Sequence, residues 1–445
     1  MAEHESSPRI RQIKPLLGNI VALSLPSIAS NLVTPLLGMT DVAIAGHMGG
    51  AVFLAAIAVG GNMFNLLYWL FGFLRMGSSG MTAQAYGAGD TSRQAKILVQ
   101  ALTVALILGI LFIALQRPIC DLLLNLMEVG HEARTMATDY FMILIWGAPA
   151  VLGSFVMTGW FLGMQNSRIT MWISMLTVTV NIAASLLLAV AMHLGIKGLA
   201  TGTLLAQWTG FITAISVCLL KYRLHCPDIR TIFASNGLLR FFRINTDIFL
   251  RTLCLVAVTL WFTRTGASQG DEVLAANALL LQLFTLFSFF MDGFAFSAEA
   301  ICGRLAGSGD RLTLARATKL LVLVSSVLAM LFTIIYTTLG TPLLQLLCDD
   351  LPTIAVAREY AAWAYSIPMA GFMAFVFDGI FIGLTATRSM LLSMACATAV
   401  YFAVYLLAWP SMHNHGLWLA FICYLLTRGL LLALLLARGS RGDVA

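Results

Sequence analysis

One carboxylate in the first long apolar stretch carries the most chemistry. Asp41 lies in Leu36-Leu37-Gly38-Met39-Thr40-Asp41-Val42-Ala43-Ile44-Ala45-Gly46 and is the only acid of a run that reads as a membrane-spanning helix. A carboxylate inside a span is costly and by default marks an ion or substrate pathway. Burial disfavours its charged form, so such a group can load and release a proton. The structural alternative is an acid near the helix end that reaches outer-side water. Asn31 on the same stretch, Tyr140 near the start of a fourth span, Asn181 midway along a fifth, and Thr201, Thr203 and Gln207 along a sixth are the polar residues expected to meet Asp41 in one cavity. Taken singly, each also reads as a helix–helix hydrogen-bonding residue.

The second half carries a different set: Asp292 and Glu299 in an eighth span and Asp378 in a tenth. Asp292 and Glu299 are two helical turns apart and share a face. Either these acids form a buried network with backbone or Arg partners, or they act in transport directly. Asp247 and Arg251, four apart, read as a local ion pair. His413 and His415 flank Asn414 in an outer loop, too few ligands for a metal site. The eight cysteines are scattered, with no CxxC, which argues against a metal centre, a redox pair or a disulfide framework. There is no HExxH and no GxSxG, so an intramembrane enzyme is disfavoured. No catalytic residue, metal or bound cofactor is expected. The 21 Met and 27 Phe suit an adaptable apolar pocket.

The elements that position these residues follow from composition. Sixty per cent of the chain is hydrophobic and 10% charged, against roughly 25% charged in soluble domains, and the mean hydropathy is +0.90. This predicts an all-α integral membrane protein of twelve spans, near residues 16–44, 50–75, 96–117, 134–162, 168–192, 197–220, 246–266, 272–295, 316–338, 354–384, 388–408 and 415–437. The first apolar run is too long for a signal-peptide core and reads as a retained span. With both termini in the cytoplasm, all of the 26 Lys and Arg except Arg117, Arg134, Lys197, Arg264 and Arg358 fall inside, as the positive-inside rule requires. The net charge of +6 thus belongs to membrane loops and does not indicate nucleic acid. The lipid bilayer is the expected partner, and a monomer the expected state. Prolines interrupt the first span (Pro26, Pro35), the fourth (Pro149) and the tenth (Pro368). Each removes a backbone hydrogen bond and reads as a static kink or a hinge.

The chain also repeats at an offset of 220 residues, the distance from Asp90 to Asp310. Gly77-Ser78-Ser79-Gly80, running on to Gly87-Ala88-Gly89-Asp90, is matched by Ser297-Ala298-Glu299-Ala300 and Gly307-Ser308-Gly309-Asp310. Tyr140 pairs with Tyr360, Gly159 with Gly379, Gly163 with Gly383 and Arg168 with Arg388. Two six-helix lobes related by a pseudo-two-fold axis are therefore expected: residues 1–222, a cytoplasmic linker over 223–245 with a short surface helix, and residues 246–445. The acids break the symmetry, since Asp41 faces Trp261, Glu299 faces Ser79, Asp292 faces Gly72 and Asp378 faces Thr158.

At these residues the sequence resembles the multidrug and toxic compound extrusion (MATE) family, in its DNA-damage-inducible, DinF-like branch. The likeness rests on Pro26 with Thr40-Asp41, on Met291-Asp292-Gly293-Phe294-Ala295-Phe296 through Glu299-Ala300, on Asp378-Gly379-Ile380-Phe381-Ile382-Gly383, and on Gly198-Leu199-Ala200-Thr201-Gly202-Thr203 with Gln207. The resemblance implies a central cavity exposed alternately to either side and export of amphipathic or cationic drug-like compounds across the inner membrane, driven by protons or sodium. It also implies that Asp41 couples beside Tyr140 and Asn181, with Thr203 in the same group, and that the first span bends near Pro26. Many relatives place an acid where this chain has Ser185. Without it Asp41 is the sole carboxylate in the spans of the first lobe, and hard cations want several oxygen ligands, so proton antiport is the expected mode. Sodium coupling is the alternative, followed by a lipid or lipid-linked flippase, which the scarcity of Lys and Arg inside the predicted spans disfavours.

Overall fold

A computed structural model of the chain describes residues 8–48, 51–127, 131–222 and 235–439, and every regular element among them is a helix. Long apolar runs take this form because a helix satisfies its backbone N–H and C=O groups internally where no water can do so. In chain order the helices are α1 (Pro8–Met48), α2 (Ala51–Trp69), α3 (Phe73–Gly87), α4 (Thr91–Ala114), α5 (Gln116–Leu126), α6 (His131–Leu144), α7 (Ala148–Gly163), α8 (Ser167–Ser185), α9 (Gly195–Tyr222), α10 (Ser235–Ala267), α11 (Asp271–Gly307), α12 (Arg311–Leu347), α13 (Leu351–Gly383), α14 (Thr387–Met412) and α15 (Asn414–Gly439). Twelve stretches of the described residues are long and apolar enough to cross a bilayer.

Two spans run past their expected ends. The second continues through α2 and α3 to Gly87 and the eighth along α11 to Gly307, where hydropathy stopped them near 75 and 295. Small polar residues such as Ser78, Ser79 and Thr82 are buried in α3, so low hydropathy there reflects close helix packing and not a loop. The spelling that the two halves share at the end of each stretch is a helix stop followed by a helix start. Gly89 and Gly309 take φ of 70° and 75°, a conformation that glycine adopts without strain. Asp90 then accepts from the Arg93 N–H at 2.8 Å, and Asp310 from the Thr313 N–H at 3.0 Å, each capping the helix that follows. Hydrogen bonds from Thr313 hold the Asp310 carboxyl below the usual carboxylate range.

The prolines behave unequally. Pro149 has no N–H to continue the helical ladder, and the turn before it, Ile145–Gly147, tightens to a 3-10 helix. α1, α12 and α13 run unbroken through Pro26, Pro342 and Pro368. The expected outer loop around His413 and His415 shrinks to His413 alone, at φ 45°, and His415 sits inside α15. Of the expected linker, residues 223–234 lie outside the described residues, while Ser235–Asn245 belongs to α10.

The chain divides into two compact units. One comprises Ala29–Asn245, the other Met1–Ile28 with Thr246–Ala445, boundaries that differ from the first lobe of residues 1–222 expected above. α1 thus changes unit at Ile28–Ala29, within a turn of Pro26. Inside each unit the repeat is visible atom by atom. A methyl at Gly163, on α7, would lie 2.8 Å from Ser79 O and 2.9 Å from Ala83 N of α3. At Gly383, on α13, it would lie 2.5 Å from Glu299 O and 2.8 Å from Gly303 N of α11. Both pairs of contacts are related by the 220-residue offset. Gly159 and Gly379 meet the Arg75 and Ala295 backbones in the same way. Small residues here let two helix backbones approach where apolar solvent provides no other driving force.

Gly163→Val and Gly383→Val should each destabilise their unit by about 1–3 kcal/mol through overpacking, read as a lower melting temperature of the detergent-solubilised protein. Gly61→Ala, where a methyl meets nothing within 4 Å, should not lower it. Equal melting of all three variants would contradict this packing.

Candidate functional site

Four spans of the Ala29–Asn245 unit converge on Asp41. Its side chain is 3% exposed, and Tyr140 on α6, Asn181 on α8 and Thr203 on α9 are equally buried. Thr203 Oγ1 donates to Asp41 Oδ2 at 2.8 Å, Tyr140 Oη donates to the same oxygen at 3.2 Å, and Asn181 Nδ2 donates to Oδ1 at 3.3 Å. Asn181 Nδ2 also reaches Thr203 Oγ1 at 2.9 Å. Gly60 makes room for the Tyr140 ring, whose Cδ1 lies 2.5 Å from where a glycine methyl would be. The acid is therefore not at a wet helix end. It is a buried anion held by hydrogen bonds.

All three donors are neutral, and that decides what the cluster can do. Buried polar groups need partners to offset desolvation, and three donors meet this need without cancelling the charge. Protonating Asp41 removes the charge and turns one carboxyl oxygen into a donor, which then needs an acceptor. The hydroxyls of Thr203 and Tyr140 can rotate to accept, whereas the N–H of Asn181 cannot. Loading a proton therefore rewrites the hydrogen bonds that tie α1 to α6 and α9. Among the described residues Asn181 Oδ1 is buried with no hydrogen-bond partner, and its neighbour one turn on, Ser185 Oγ, is in the same position.

The other expected cavity residues do not join this cluster. Thr201 donates to Lys197 O of its own helix at 2.7 Å. Gln207 turns its Oε1 against Gly147. Asn31 is half-buried on α1, nearly three turns before Asp41.

The acids of the other unit are held differently. Arg251 on α10 and Arg428 on α15 both donate through Nη2 to Asp378 Oδ2 on α13. Exposures of 6%, 4% and 7% put all three in the interior. Asp292, half-buried on α11, adds its charge to the field at both guanidiniums, and Glu299 is 1% exposed. Of the two readings open for these acids, the geometry around Asp378 is that of a buried network with Arg partners. The expected Asp247–Arg251 ion pair is replaced: Asp247 accepts from Thr387 Oγ1 at 2.8 Å, while Arg251 points inward, where a buried guanidinium needs a carboxylate. The positive-inside pattern counts Arg251 and Arg428 among the membrane-flanking charges, whereas both side chains are buried. The available signal was their depth, since each lies about ten residues inside the ends of Phe241–Ala267 and Asn414–Arg438.

At the repeat counterparts of Asp41 and Asn181 stand Trp261 and Tyr401. Trp261 packs edge-on against Phe402 and Tyr405, with ring centroids 5.5 and 5.8 Å away, and Tyr401 against Phe402 at 5.3 Å. Aromatic packing fills the locus that holds a carboxylate in the other unit.

Comparison with known proteins places this arrangement in context. The family model described as MatE matches residues 26–187 and again 247–406. The chain is 35% identical over 415 residues to DNA damage-inducible protein F of Escherichia coli (strain K12), covering 92% of this chain and 90% of that one. It is 24% identical over 445 residues to a probable multidrug resistance protein NorM of Idiomarina loihiensis, covering 95% and 94%. Among solved structures, a MATE in the bent conformation superposes with a TM-score of 0.86 over 96% of both chains at 18% identity. A MOP superfamily transporter from Pyrococcus furiosus does so at 0.84, again over 96% of both and at 18% identity. At such identities the likeness is one of fold.

Asp378→Asn removes the carboxylate between two buried guanidiniums and should cost about 3–5 kcal/mol, seen as lower membrane yield and a lower melting temperature. Adding Arg428→Gln should recover part of the loss. A single variant that melts with the wild type would mean that other groups hold the arginines.

Proposed function

The chain belongs to the MatE family, is a multi-pass membrane transporter of small organic compounds and not an enzyme, and on that premise we propose that it exports amphipathic or cationic substrates in exchange for protons, with Asp41 as the coupling group. The observation that carries this reading is the all-neutral donor set around a single buried carboxylate. A charge left uncancelled by its surroundings is one that a proton can neutralise, and the hydroxyl rotations that follow couple occupancy to helix packing. Tyr140, Asn181 and Thr203 are the ion-coupling partners in this scheme. Asn31 and Thr201 contribute polar groups to the substrate path.

Alternating access supplies the cycle. With both termini in the cytoplasm of a bacterial inner membrane, Asp41 lies toward the outer side. Protonation from outside releases substrate, and loss of the proton inside resets the site. Pro26 is the proposed hinge, because the change of unit along α1 falls at Ile28–Ala29, where a residue without an N–H weakens the helical ladder. The proton gradient is the energy source, and the working state is a monomer in lipid. Asp292, Glu299 and Asp378 serve as a fixed charge network and not as a second coupling site.

Sodium coupling is the second reading. The two oxygens of Asp41, Thr203 Oγ1 and the unpartnered Asn181 Oδ1 are ligands of the kind a hard cation takes. Against it, Ser185 provides no second carboxylate, and three donors already point hydrogens at the first.

Purified protein in vesicles, with proton and sodium gradients imposed separately, distinguishes the two. Export should follow ΔpH, ignore a sodium gradient at fixed pH, and fall to background in Asp41→Asn. Wild-type export by Asp41→Asn would end this mechanism, and export driven by sodium alone would favour the second reading. Thr203→Val should slow ΔpH-driven export about tenfold, the scale of one buried hydrogen bond.

A further inference from the structure

Most Ser and Thr hydroxyls on these helices bond back to the carbonyl three or four residues earlier, as Thr103, Thr138 and Ser216 do at 2.8 Å. The second span is different. Descending from Gly60, which seats the Tyr140 ring, it presents Tyr68 Oη, then Ser78 Oγ, Ser79 Oγ and Thr82 Oγ1, all buried and all without a hydrogen-bond partner among the described residues. Tyr68 is 8% exposed and the other three 0%. At 1.5 Å per residue, Tyr68 lies roughly 12 Å from Gly60 along α2, and Thr82 roughly 14 Å beyond the start of α3 at Phe73.

The fourth span runs alongside and confirms these levels. Tyr140 faces Gly60, and Gly163 meets Ser79 and Thr82. Between them Gly147 faces the unpartnered Oε1 of Gln207, seven residues below Tyr140 and so at about the depth of Tyr68. Tyr68 is joined to that span through Phe64, whose ring centroid lies 5.5 Å from Tyr68 and 4.9 Å from Phe141. Unpartnered polar atoms therefore recur from the Asp41 cluster to the end of the unit that carries Gly87 and Asp90. A buried oxygen left without a protein partner is a place for internal water where the packing leaves room for it, each water making about three hydrogen bonds.

The repeat shows that this series belongs to one unit. The counterpart of Tyr68 is Ser288, whose hydroxyl is satisfied by Thr285 O at 2.9 Å. Ser78 and Thr82 are replaced by Ala298 and Cys302, and Ser79 by Glu299. The scaffold is duplicated and the hydroxyls are not.

We infer that the Ala29–Asn245 unit contains its own hydrated proton path, in which Tyr68, Gln207, Ser78, Ser79 and Thr82 hold water between Asp41 and the Gly87–Asp90 end. This rests on the proton-coupled reading above. In each transfer one O–H bond breaks as the next forms: Asp41 gives its proton to a water, that water passes one of its own onward, and the last gives a proton to solvent. Asp41 returns to the carboxylate, and no other reactant is consumed. The side chains of the path are positioning residues that orient water.

Two transport modes test it. ΔpH-driven export requires Asp41 to discharge its proton, whereas substrate counterflow, with the same substrate on both sides and no ΔpH, moves substrate without proton release. Tyr68→Phe and the double change Ser78→Ala, Thr82→Val should each slow ΔpH-driven export about tenfold, near the effect of a lost buried hydrogen bond, with counterflow close to wild type. Ser288→Ala, on the counterpart span, should leave both modes alone. Equal slowing of both modes, or a wild-type ΔpH-driven rate in the variants, would overturn the path. If wild-type protein itself shows no ΔpH-driven export, the parent reading fails and the path with it, a result distinct from either.

Discussion

A charge removed from water must be compensated by its immediate surroundings, and most of what distinguishes the two units follows from how each does it. Asp41 is compensated by three neutral donors from three different helices. Asp378 is compensated by two cations. The first arrangement stabilises an anion while leaving it an anion, open to neutralisation by a proton. The second cancels the charge within the protein, so protonating Asp378 would strand two guanidiniums. In the proposed cycle the first carboxylate changes state, while the second joins three helices.

The scaffold around these charges is duplicated with little freedom. Gly163 against Ser79 and Ala83, and Gly383 against Glu299 and Gly303, are the same contacts made twice. Such close approach tolerates almost no side-chain growth, which explains why the glycines persist at one offset across the halves. Positions facing a partner through a side chain have diverged: Asp41 against Trp261, and Asn181 against Tyr401. Backbone contact preserves the architecture, and side-chain contact is where chemistry was free to differ.

Much of this was legible in the chain. Composition and the length of apolar runs dictate twelve helical spans, because a bilayer admits few other ways to pair the backbone. Asp41, Tyr140, Asn181 and Thr203 stood out as polar residues in apolar spans, and they meet. Thr201 and Gln207 carried the same signal and do not join them, since a helix displays residues around its whole circumference and hydropathy does not say which face meets which neighbour. The ends of the second and eighth spans were misread for a related reason. Ser78, Ser79 and Thr82 look solvent-seeking by type, yet small hydroxylated residues fit where helices pack closely.

The sequence by itself determined the class of structure, the duplication and the short list of buried acids, because these depend on local composition and register. Only the tertiary structure decided the partners: that Arg251 crosses to Asp378 and not to Asp247 four residues away, that Arg428 joins it, and that Asp41 has hydroxyls and an amide but, among the described residues, no cation. A carboxylate's behaviour is set by the charges and donors within a few ångströms of it. In a helical bundle those groups come from distant parts of the chain, 99, 140 and 162 residues away for Asp41, brought together by packing that no local pattern encodes.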